Sequence, residues 1–271
     1  MYSLLDYKIE IFKYIYLFFL GSSLGSFYKT IYDRILYFFY SPIRKELSIK
    51  QKYYNLFFTP SFCYNCKTKI SYLYLIPIVG YFFTKKRCKH CGIPLSIDFL
   101  LWELFGGFLL CYLFYFYGLL AFLYVLMIFH FIIAGLIDLK KFFLDYENIL
   151  FLYIFGLILF FIEWELSNIY YFLLKFFIFL FIFLVLYLLG RGKKFGFGDI
   201  ILIGAISIIF EITEILIIIN LGAIGSIIYI LLYKKNKHSY APLGFFLSFA
   251  CIVVIIFRPF FFGILTSNSS Y

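Results

Sequence analysis

Long apolar runs alternate with short charged segments along almost the whole chain. An α-helix needs about 20 predominantly apolar residues to cross the hydrocarbon core of a bilayer. The pattern therefore predicts an all-α polytopic membrane protein with about eight transmembrane helices. The predicted spans cover residues 10–31, 98–117, 119–138, 147–163, 168–190, 199–210, 215–233 and 241–263.

The charges of the connecting loops predict the orientation. Lys and Arg favour the cytoplasmic side of a membrane. Here they fall in alternate loops, which places both chain ends outside. An extra span within residues 199–233 would break this alternation, so we divide that region at Glu211-Ile212-Thr213-Glu214. The basic loops carry the Lys and Arg residues between positions 34 and 89, Lys140 and Lys141, Arg191, Lys193 and Lys194, and Lys234, Lys235 and Lys237. The alternate loops carry Glu163, Glu165, Glu211 and Glu214.

The composition excludes a soluble enzyme with a single anchor. Hydrophobic residues make up 65% of the chain and charged residues only 14%, whereas a soluble domain is closer to half apolar. The net charge of +10 lies mainly in loops between spans, so we expect the lipid bilayer as a partner and no nucleic acid. No cleavable signal peptide is expected. The predicted regions are a first transmembrane span (1–31), a cytoplasmic loop (32–97) and a membrane-embedded core (98–271).

The long loop contains four of the six cysteines, arranged in two pairs. Cys63-x-x-Cys66 and Cys88-x-x-Cys91 have the spacing of a tetrahedral zinc site, in which each pair supplies two thiolates from one tight turn. Disulfides are rare in the cytoplasm. Four cysteine ligands leave no open position for a catalytic water, so we expect a structural zinc that folds a small loop domain between the first two spans.

Two aspartates lie at the cytoplasmic ends of predicted spans. Asp138 closes the third span, and Asp199 follows Gly196 and Gly198 in the sequence GFGD. A charge at the mouth of a span is expensive, although each aspartate alone also fits a helix-end charge or an N-terminal cap. Glycines let the backbone approach another element closely. Together, the two carboxylates would act as general base and general acid in peptide-bond hydrolysis and share one proton.

Several short segments spread over residues 21–200 form an ordered set. They are Gly25-Ser26-Phe27 with Arg34, PSFCYNC (60–66), Ile76-Pro77, CKHCGIPLS (88–96), Glu103-Leu104, Ile137-Asp138 with Asp145, and GFGD (196–199). In this order they resemble the bacterial prepilin peptidases, also called type 4 prepilin leader peptidases, and GFGD resembles the GxGD motif of that family. GxGD alone is a weak signal, whereas the whole set is specific.

The resemblance implies more than the residues show. Members of this family are aspartic endopeptidases of the bacterial inner membrane that cut the basic leader from type IV prepilins or type II secretion pseudopilins. Many also methylate the new N-terminus with S-adenosylmethionine as methyl donor. The resemblance assigns the catalytic aspartates to Asp138 and Asp199. The loop charges place these residues, and so the active site of this multi-pass protein, at the cytoplasmic face.

Two further acidic residues are candidates for supporting roles. Asp145 lies in the loop after Asp138, where it is either the solvated start of the fourth span or a supporting residue of the site. Glu103 lies about one helical turn inside the second span, where a charge is costlier. We expect it to contact a substrate, the methyl donor or Lys29.

Three positions depart from the family's pattern, and two alternative functions stay open. Lys29 stands where Asn is usual, Ile201 stands where Lys is usual, and residues 143–145 (FLD) lack the proline common before that aspartate. One alternative is a GxGD intramembrane peptidase with other substrates, against which the zinc loop argues. The other is a non-catalytic secretion or pilus assembly factor, which should tolerate replacement of either aspartate.

Overall fold

The computed structural model describes residues 4–163, 168–190, 196–233 and 241–267. Within these ranges the regular structure is helical apart from two isolated β-bridges, and the predicted all-α class is confirmed. The α-helices are α1 (Leu4–Tyr40), α2 (Ile49–Phe58), α3 (Val79–Phe83), α4 (Ile97–Tyr117), α5 (Ala121–Lys141), α6 (Tyr146–Glu163), α7 (Ile169–Leu189), α8 (Phe197–Ile209), α9 (Ile212–Tyr233) and α10 (Leu243–Ser267). Of the residues used to orient the chain, Glu165, Arg191, Lys193, Lys194, Lys234, Lys235 and Lys237 lie outside these ranges.

The long helices coincide with the predicted spans. These are α1 and α4 to α10. Four of the described stretches are long and apolar enough to cross a membrane, and the protein is an integral membrane protein. Helix α8 has 13 residues and extends about 20 Å, less than the hydrocarbon core of about 30 Å. The four stretches are Ile97–Lys141, Ile169–Leu189, Ile212–Leu232 and Leu243–Phe260.

The chain divides into two compact units, Met1–Val125 and Leu126–Tyr271. In the first unit, α1 and α4 pack with their backbones almost in contact. A Cβ atom added to Gly21 would lie 2.3 Å from the carbonyl oxygen of Gly106. One added to Gly25 would lie 2.1 Å from that of Trp102. Small residues four positions apart let membrane helices approach this closely.

Helix α1 continues past residue 31, where the first span was predicted to end. The extension buries Tyr32, Ile35 and Phe38. It also carries Arg34, whose guanidinium donates to the carbonyl oxygens of Leu56 (2.8 Å) and Thr59 (2.6 Å). These carbonyls lie at the C-terminus of α2, where a cation is favourable. The helix therefore extends beyond the apolar span because its last turns pack against protein and hold α2.

In the second unit, α8 is surrounded by other helices. Its residues 202–209 are all buried, and α6 and α7 pack against it. Gly204 allows the close approach of α6, because a Cβ atom there would lie 2.0 Å from the Tyr153 hydroxyl oxygen. That hydroxyl donates to the Ile201 carbonyl (2.9 Å). A helix too short to cross a bilayer is thus accommodated by protein on most of its surface.

Helix α10 packs along α9 and also contacts α8. Two glycines of α9 leave room for it. A Cβ atom on Gly222 would lie 2.7 Å from the Leu247 side chain, and one on Gly225 would lie 2.5 Å from the Phe246 ring. This packing places the N-terminus of α10 beside the last turn of α5.

We expect Gly25→Leu to destabilise the protein, because the new side chain would overlap the backbone of α4. Overpacking of this kind costs about 1–3 kcal/mol of unfolding free energy, which thermal unfolding in detergent will detect. Ser23→Leu is the matched control, since Ser23 is exposed on the same helix. Equal unfolding temperatures for the two variants would contradict the close helix contact.

Candidate active site and metal centre

Asp138 lies in the last turn of α5 and is only 6% exposed. Its Oδ2 atom accepts a hydrogen bond of 3.0 Å from the backbone N–H of Phe245, in the first turn of α10. The amide of Gly244 adds a second interaction. The first N–H groups of a helix have no partner within it and carry the positive end of its dipole. Helix α10 therefore supplies the polar contacts that a buried carboxylate needs.

Asp199 is the third residue of α8 and is half-buried. Its Oδ2 atom accepts a hydrogen bond of 3.0 Å from the backbone N–H of Gly196. A carboxylate that reaches back in this way closes the first turn of a helix and interacts favourably with the helix dipole. The capping role that the sequence offered for Asp199 is thus present in the structure, and it also fixes the position of the carboxylate.

The structure brings the two aspartates together around Leu144, which is 4% exposed. A Cβ atom on Gly198, beside Asp199, would lie 3.1 Å from the Cβ of Leu144. One on Gly244, which contacts Asp138, would lie 2.9 Å from its Cδ2. The carboxylate of Asp199 also interacts electrostatically with that of Asp138. The two carboxylates therefore lie at one end of the second unit and act on each other.

The two glycines of GFGD contribute in different ways. Gly198 has little room, because Leu144 packs against it. At Gly196 the backbone has an ordinary φ of −78°. A Cβ atom there would make only a normal contact, 3.4 Å from the Oδ2 atom of Asp199. Gly196 therefore contributes its backbone N–H to the site. Gly198 contributes the space that a side chain would otherwise fill.

Asp145 begins α6. Its carbonyl accepts from the N–H of Ile149 (3.1 Å), and its carboxylate interacts with the amides of Glu147 and Asn148, as an N-cap does. Burial, together with the neighbouring Glu147 carboxylate, raises the pKa of Asp145 to about 7. Of the two roles considered for this residue, the helix start is the one whose contacts the structure shows.

Glu103 joins three segments of the first unit. It lies in α4, is 7% exposed, and accepts hydrogen bonds from the Ser26 hydroxyl of α1 (2.7 Å) and the backbone N–H of Ile78 (2.6 Å). Lys29, the contact considered from the sequence, instead forms an ion pair with Asp33. Glu103 thus ties the cysteine-containing segment to the helices α1 and α4.

Ile78 occupies a strained turn that sequence reasoning missed. Its φ of +66° and ψ of −55° are rare for a β-branched residue. The N–H of Val79 donates to the Pro77 carbonyl (2.6 Å), which closes a three-residue γ-turn. Such strain costs about 1–3 kcal/mol and persists where the surroundings over-determine it. The hydrogen bond from Ile78 to Glu103 is one such constraint.

The four paired cysteines converge. Their Sγ atoms all lie within 4.8 Å of one another. The Sγ atoms of Cys63 and Cys91 are 3.8 Å apart, and those of Cys66 and Cys88 are 3.9 Å apart. Four thiolates bound about 2.3 Å from a tetrahedral zinc would be about 3.8 Å apart. The donor set and its spacing therefore fit a tetrahedral metal ion.

Both cysteine pairs share one local fold within residues 60–95, which we call the cysteine module. In each pair, the residue after the second cysteine has a left-handed backbone conformation, with φ of +60° at Lys67 and +70° at Gly92. A hydrogen bond from the Ile93 amide lowers the pKa of the Cys91 thiol to about 6, which favours the thiolate that binds metals. The β-bridges that close the pairs join Phe62 to Lys69 and Arg87 to Pro94.

No local sequence pattern marks Gly244 and Phe245 as part of the site. They lie 106 and 107 residues after Asp138, and their contribution comes from backbone amides. A weaker signal existed. The charge alternation places the start of the last span on the side of the aspartates, and a helix N-terminus attracts carboxylates.

The fold and the site together define the class of protein. It is an integral membrane protein with a four-cysteine module and a pair of aspartates at helix ends. Residues 19–117 match the Bacterial Peptidase A24 N-terminal domain. Residues 124–231 match the Type IV leader peptidase family. The chain belongs to the type IV leader peptidase family. Helix α10 lies outside both matched ranges.

One curated relative also matches. Over 92 residues the chain is 34% identical to the prepilin leader peptidase/N-methyltransferase of Klebsiella pneumoniae. The match covers 34% of this chain and 36% of that protein, so it spans only about a third of the relative's length. No solved structure matches the chain significantly.

We expect the purified protein to bind about one zinc ion per chain at the four cysteines. Cys88→Ser should lose the metal and loosen the cysteine module, because binding and folding of such sites are coupled. Elemental analysis measures the metal, and limited proteolysis of residues 60–95 measures the folding. Cys111→Ser, outside the cluster, is the matched control. Wild-type protein free of bound metal would contradict this assignment.

Proposed function

We propose that this protein is a membrane-embedded aspartic endopeptidase that removes the basic leader from type IV prepilins or type II secretion pseudopilins. It would lie in the bacterial inner membrane with the aspartate pair at the cytoplasmic face. The observation that carries this proposal is the meeting of Asp138 and Asp199 at one end of the second unit, within the range matched to the type IV leader peptidase family.

Two carboxylates that face one site suit peptide hydrolysis. One carboxylate takes a proton from water as general base, and the other protonates the carbonyl oxygen or the leaving amine as general acid. In both Asp138 and Asp199 the backbone hydrogen bond uses Oδ2. We therefore expect the Oδ1 atoms to face the water and the scissile bond. The roles of general acid and general base are assigned to the pair and not to either aspartate alone, because coupled carboxyl groups titrate together.

Backbone amides hold this pair in place. The N–H of Phe245 fixes Asp138 from α10, and the N–H of Gly196 fixes Asp199 from the start of α8. Neither donor can rotate away as a side chain can. The carboxylates are thus preorganised before substrate binds, which is where much of the rate enhancement of enzymes arises.

The acidic start of α6 suits a basic leader. Asp145 precedes this helix and Glu147 lies in its first turn, one short loop after Asp138. With a pKa of about 7, Asp145 gains its charge as the pH rises through neutrality. The attraction for a leader rich in Lys and Arg would then increase in the same pH range. The apolar helix that follows the leader would lie in the bilayer.

Two further parts of the proposal concern the first unit. We propose that the cysteine module holds a structural zinc ion, since four thiolates leave no open position for water. We also propose N-methylation of the new N-terminus, which rests on the name of the Klebsiella pneumoniae relative. The methyl donor would be S-adenosylmethionine, as the family resemblance implies. A non-catalytic assembly factor is the competing function, and it would need neither aspartate.

We expect Asp138→Asn and Asp199→Asn each to abolish cleavage, since an amide is nearly isosteric but cannot exchange the required proton. The double variant should be no worse than either single variant, because the two residues act as a unit. The assay incubates membranes containing matched amounts of each variant with a prepilin whose cleavage changes its gel mobility.

Asp145→Asn is the matched control for this series. Asparagine caps a helix about as well as aspartate, so this variant should keep at least part of the activity. Full cleavage by either Asp138→Asn or Asp199→Asn would remove the aspartic mechanism and favour the assembly factor.

We expect Phe245→Pro to reduce cleavage strongly while Phe245→Ala reduces it little. Proline is tolerated in the first helical turn, but it has no N–H to donate to Asp138. Alanine keeps that N–H and removes only the ring. Misplacement of a catalytic group by about 1 Å costs roughly a hundredfold in rate. The rates of both variants, compared at equal amounts of inserted protein, test this, and equal rates would refute it.

A further inference from the structure

A second group of charged side chains lies in the second unit, at the end of α8 opposite Asp199. Lys175 of α7 is 3% exposed, Glu214 of α9 is 1% exposed, and Arg258 of α10 is partly buried. Ionisable groups inside membrane proteins are costly and by default indicate a functional position. The proposed hydrolysis does not use any of these three residues.

Arg258 and Glu214 form a two-point ion pair. The Nε atom of Arg258 donates to Oε1 of Glu214 (2.7 Å), and its Nη2 atom donates to Oε2 (2.9 Å). Both distances are those of charge-assisted hydrogen bonds, and the planar geometry fixes orientation as well as distance. Glu214 Oε2 also accepts from the backbone N–H of Glu211 (3.0 Å), which closes the first turn of α9. The pair therefore binds α10 to the start of α9.

Lys175 binds the other side of the same junction. Its Nζ atom donates to the carbonyl of Phe210 (2.8 Å), the C-cap residue directly after α8. The ammonium is also attracted by the charges of Glu211 and Glu214. A helix C-terminus has carbonyls without intrahelical partners and favours a cation. The break between α8 and α9 is thus fixed by two basic side chains from two different helices.

The positions of these contacts along the helices are informative. From Asp199 to Phe210 the chain rises about 17 Å, and from Phe245 to Arg258 it rises about 20 Å. Helix α8 therefore carries one aspartate at its start and the charged junction at its end. Helix α10 holds Asp138 at its start and the same junction about four turns later.

We propose that the Arg258–Glu214 ion pair is a positioning device that fixes α8 and α10 in register, and thereby sets the separation of Asp138 and Asp199. This inference rests on the proposed function. A lengthwise shift of α10 relative to α8 would move the amide that holds Asp138 away from the helix that carries Asp199. Helix α10 packs along α9 and contacts α8 less extensively, so a two-point contact at the junction of α8 and α9 resists a lengthwise shift of α10 relative to both.

Kinetics of purified protein in lipid nanodiscs test the proposal. Glu214→Gln and Arg258→Gln should each lower kcat for a prepilin by about tenfold to a hundredfold, with little change in KM. The double variant should be no slower than the single variants, because the two residues contribute one interaction. Arg258→Lys, which keeps the charge but not the two-point geometry, should recover only part of the rate.

A second measurement needs no substrate. Hydrogen exchange of the Phe245 amide, which binds Asp138 and lies about 20 Å from Arg258, should become about tenfold faster in Arg258→Gln. The matched control removes the exposed ion pair of α1, as Glu10→Gln with Lys13→Gln, and should leave both kcat and this exchange unchanged.

The outcomes separate this inference from the proposed function. Wild-type kcat in Arg258→Gln, with a lowered unfolding temperature and unchanged Phe245 exchange, would show a purely structural ion pair and overturn the inference. If the wild-type protein itself fails to cleave prepilins, the proposed function falls. The exchange result alone then decides whether the ion pair sets the register, with faster exchange supporting it and unchanged exchange rejecting it.

Discussion

The structure of the second unit depends on the hydrogen bonds that stabilise the buried carboxylate of Asp138. Burial of a charged group without partners is very costly, and Asp138 is almost fully buried. The first amides of α10 compensate for this burial. Much else follows from this contact. Helix α10 must start beside the end of α5, Leu144 must fill the space between them, and Gly244 must stay small enough to leave room for both.

The cysteine module in the first unit is also held in place by polar contacts. A segment with little apolar core of its own gains its fold from thiolates placed by tight turns and from one buried acid, Glu103, that holds a strained turn at Ile78. In both units, then, a buried carboxylate accepts hydrogen bonds from backbone N–H groups. These bonds fix the position of a segment that hydrophobic packing alone would leave less well defined.

What the sequence predicted correctly depends on local signals. Spans follow from runs of apolar residues, and the cysteine cluster follows from CxxC spacing, because a few neighbouring residues determine each of them. The pairing of Asp138 with Asp199 could be suggested from loop charges and from resemblance to a family.

The contacts that the sequence did not predict join distant residues. Phe245 is 107 residues from Asp138, and Arg258 is 44 residues from Glu214. In the first contact the donor is a backbone amide, which every residue except proline carries, so no residue type identifies it. In the second, a Glu and an Arg in separate apolar helices have many possible partners. Only the packing of α8, α9 and α10 selects between them.

The shortness of α8 has a consequence for how the protein enters the membrane. Thirteen residues are too few to partition into a bilayer as an independent transmembrane segment. During synthesis this helix must therefore wait at the translocon, or insert as a hairpin with α7 or α9. Its final depth is reached only once α6, α7 and α10 have assembled around it. Asp199 would then reach its final position late in biogenesis, and a partly inserted chain would lack the pair of aspartates.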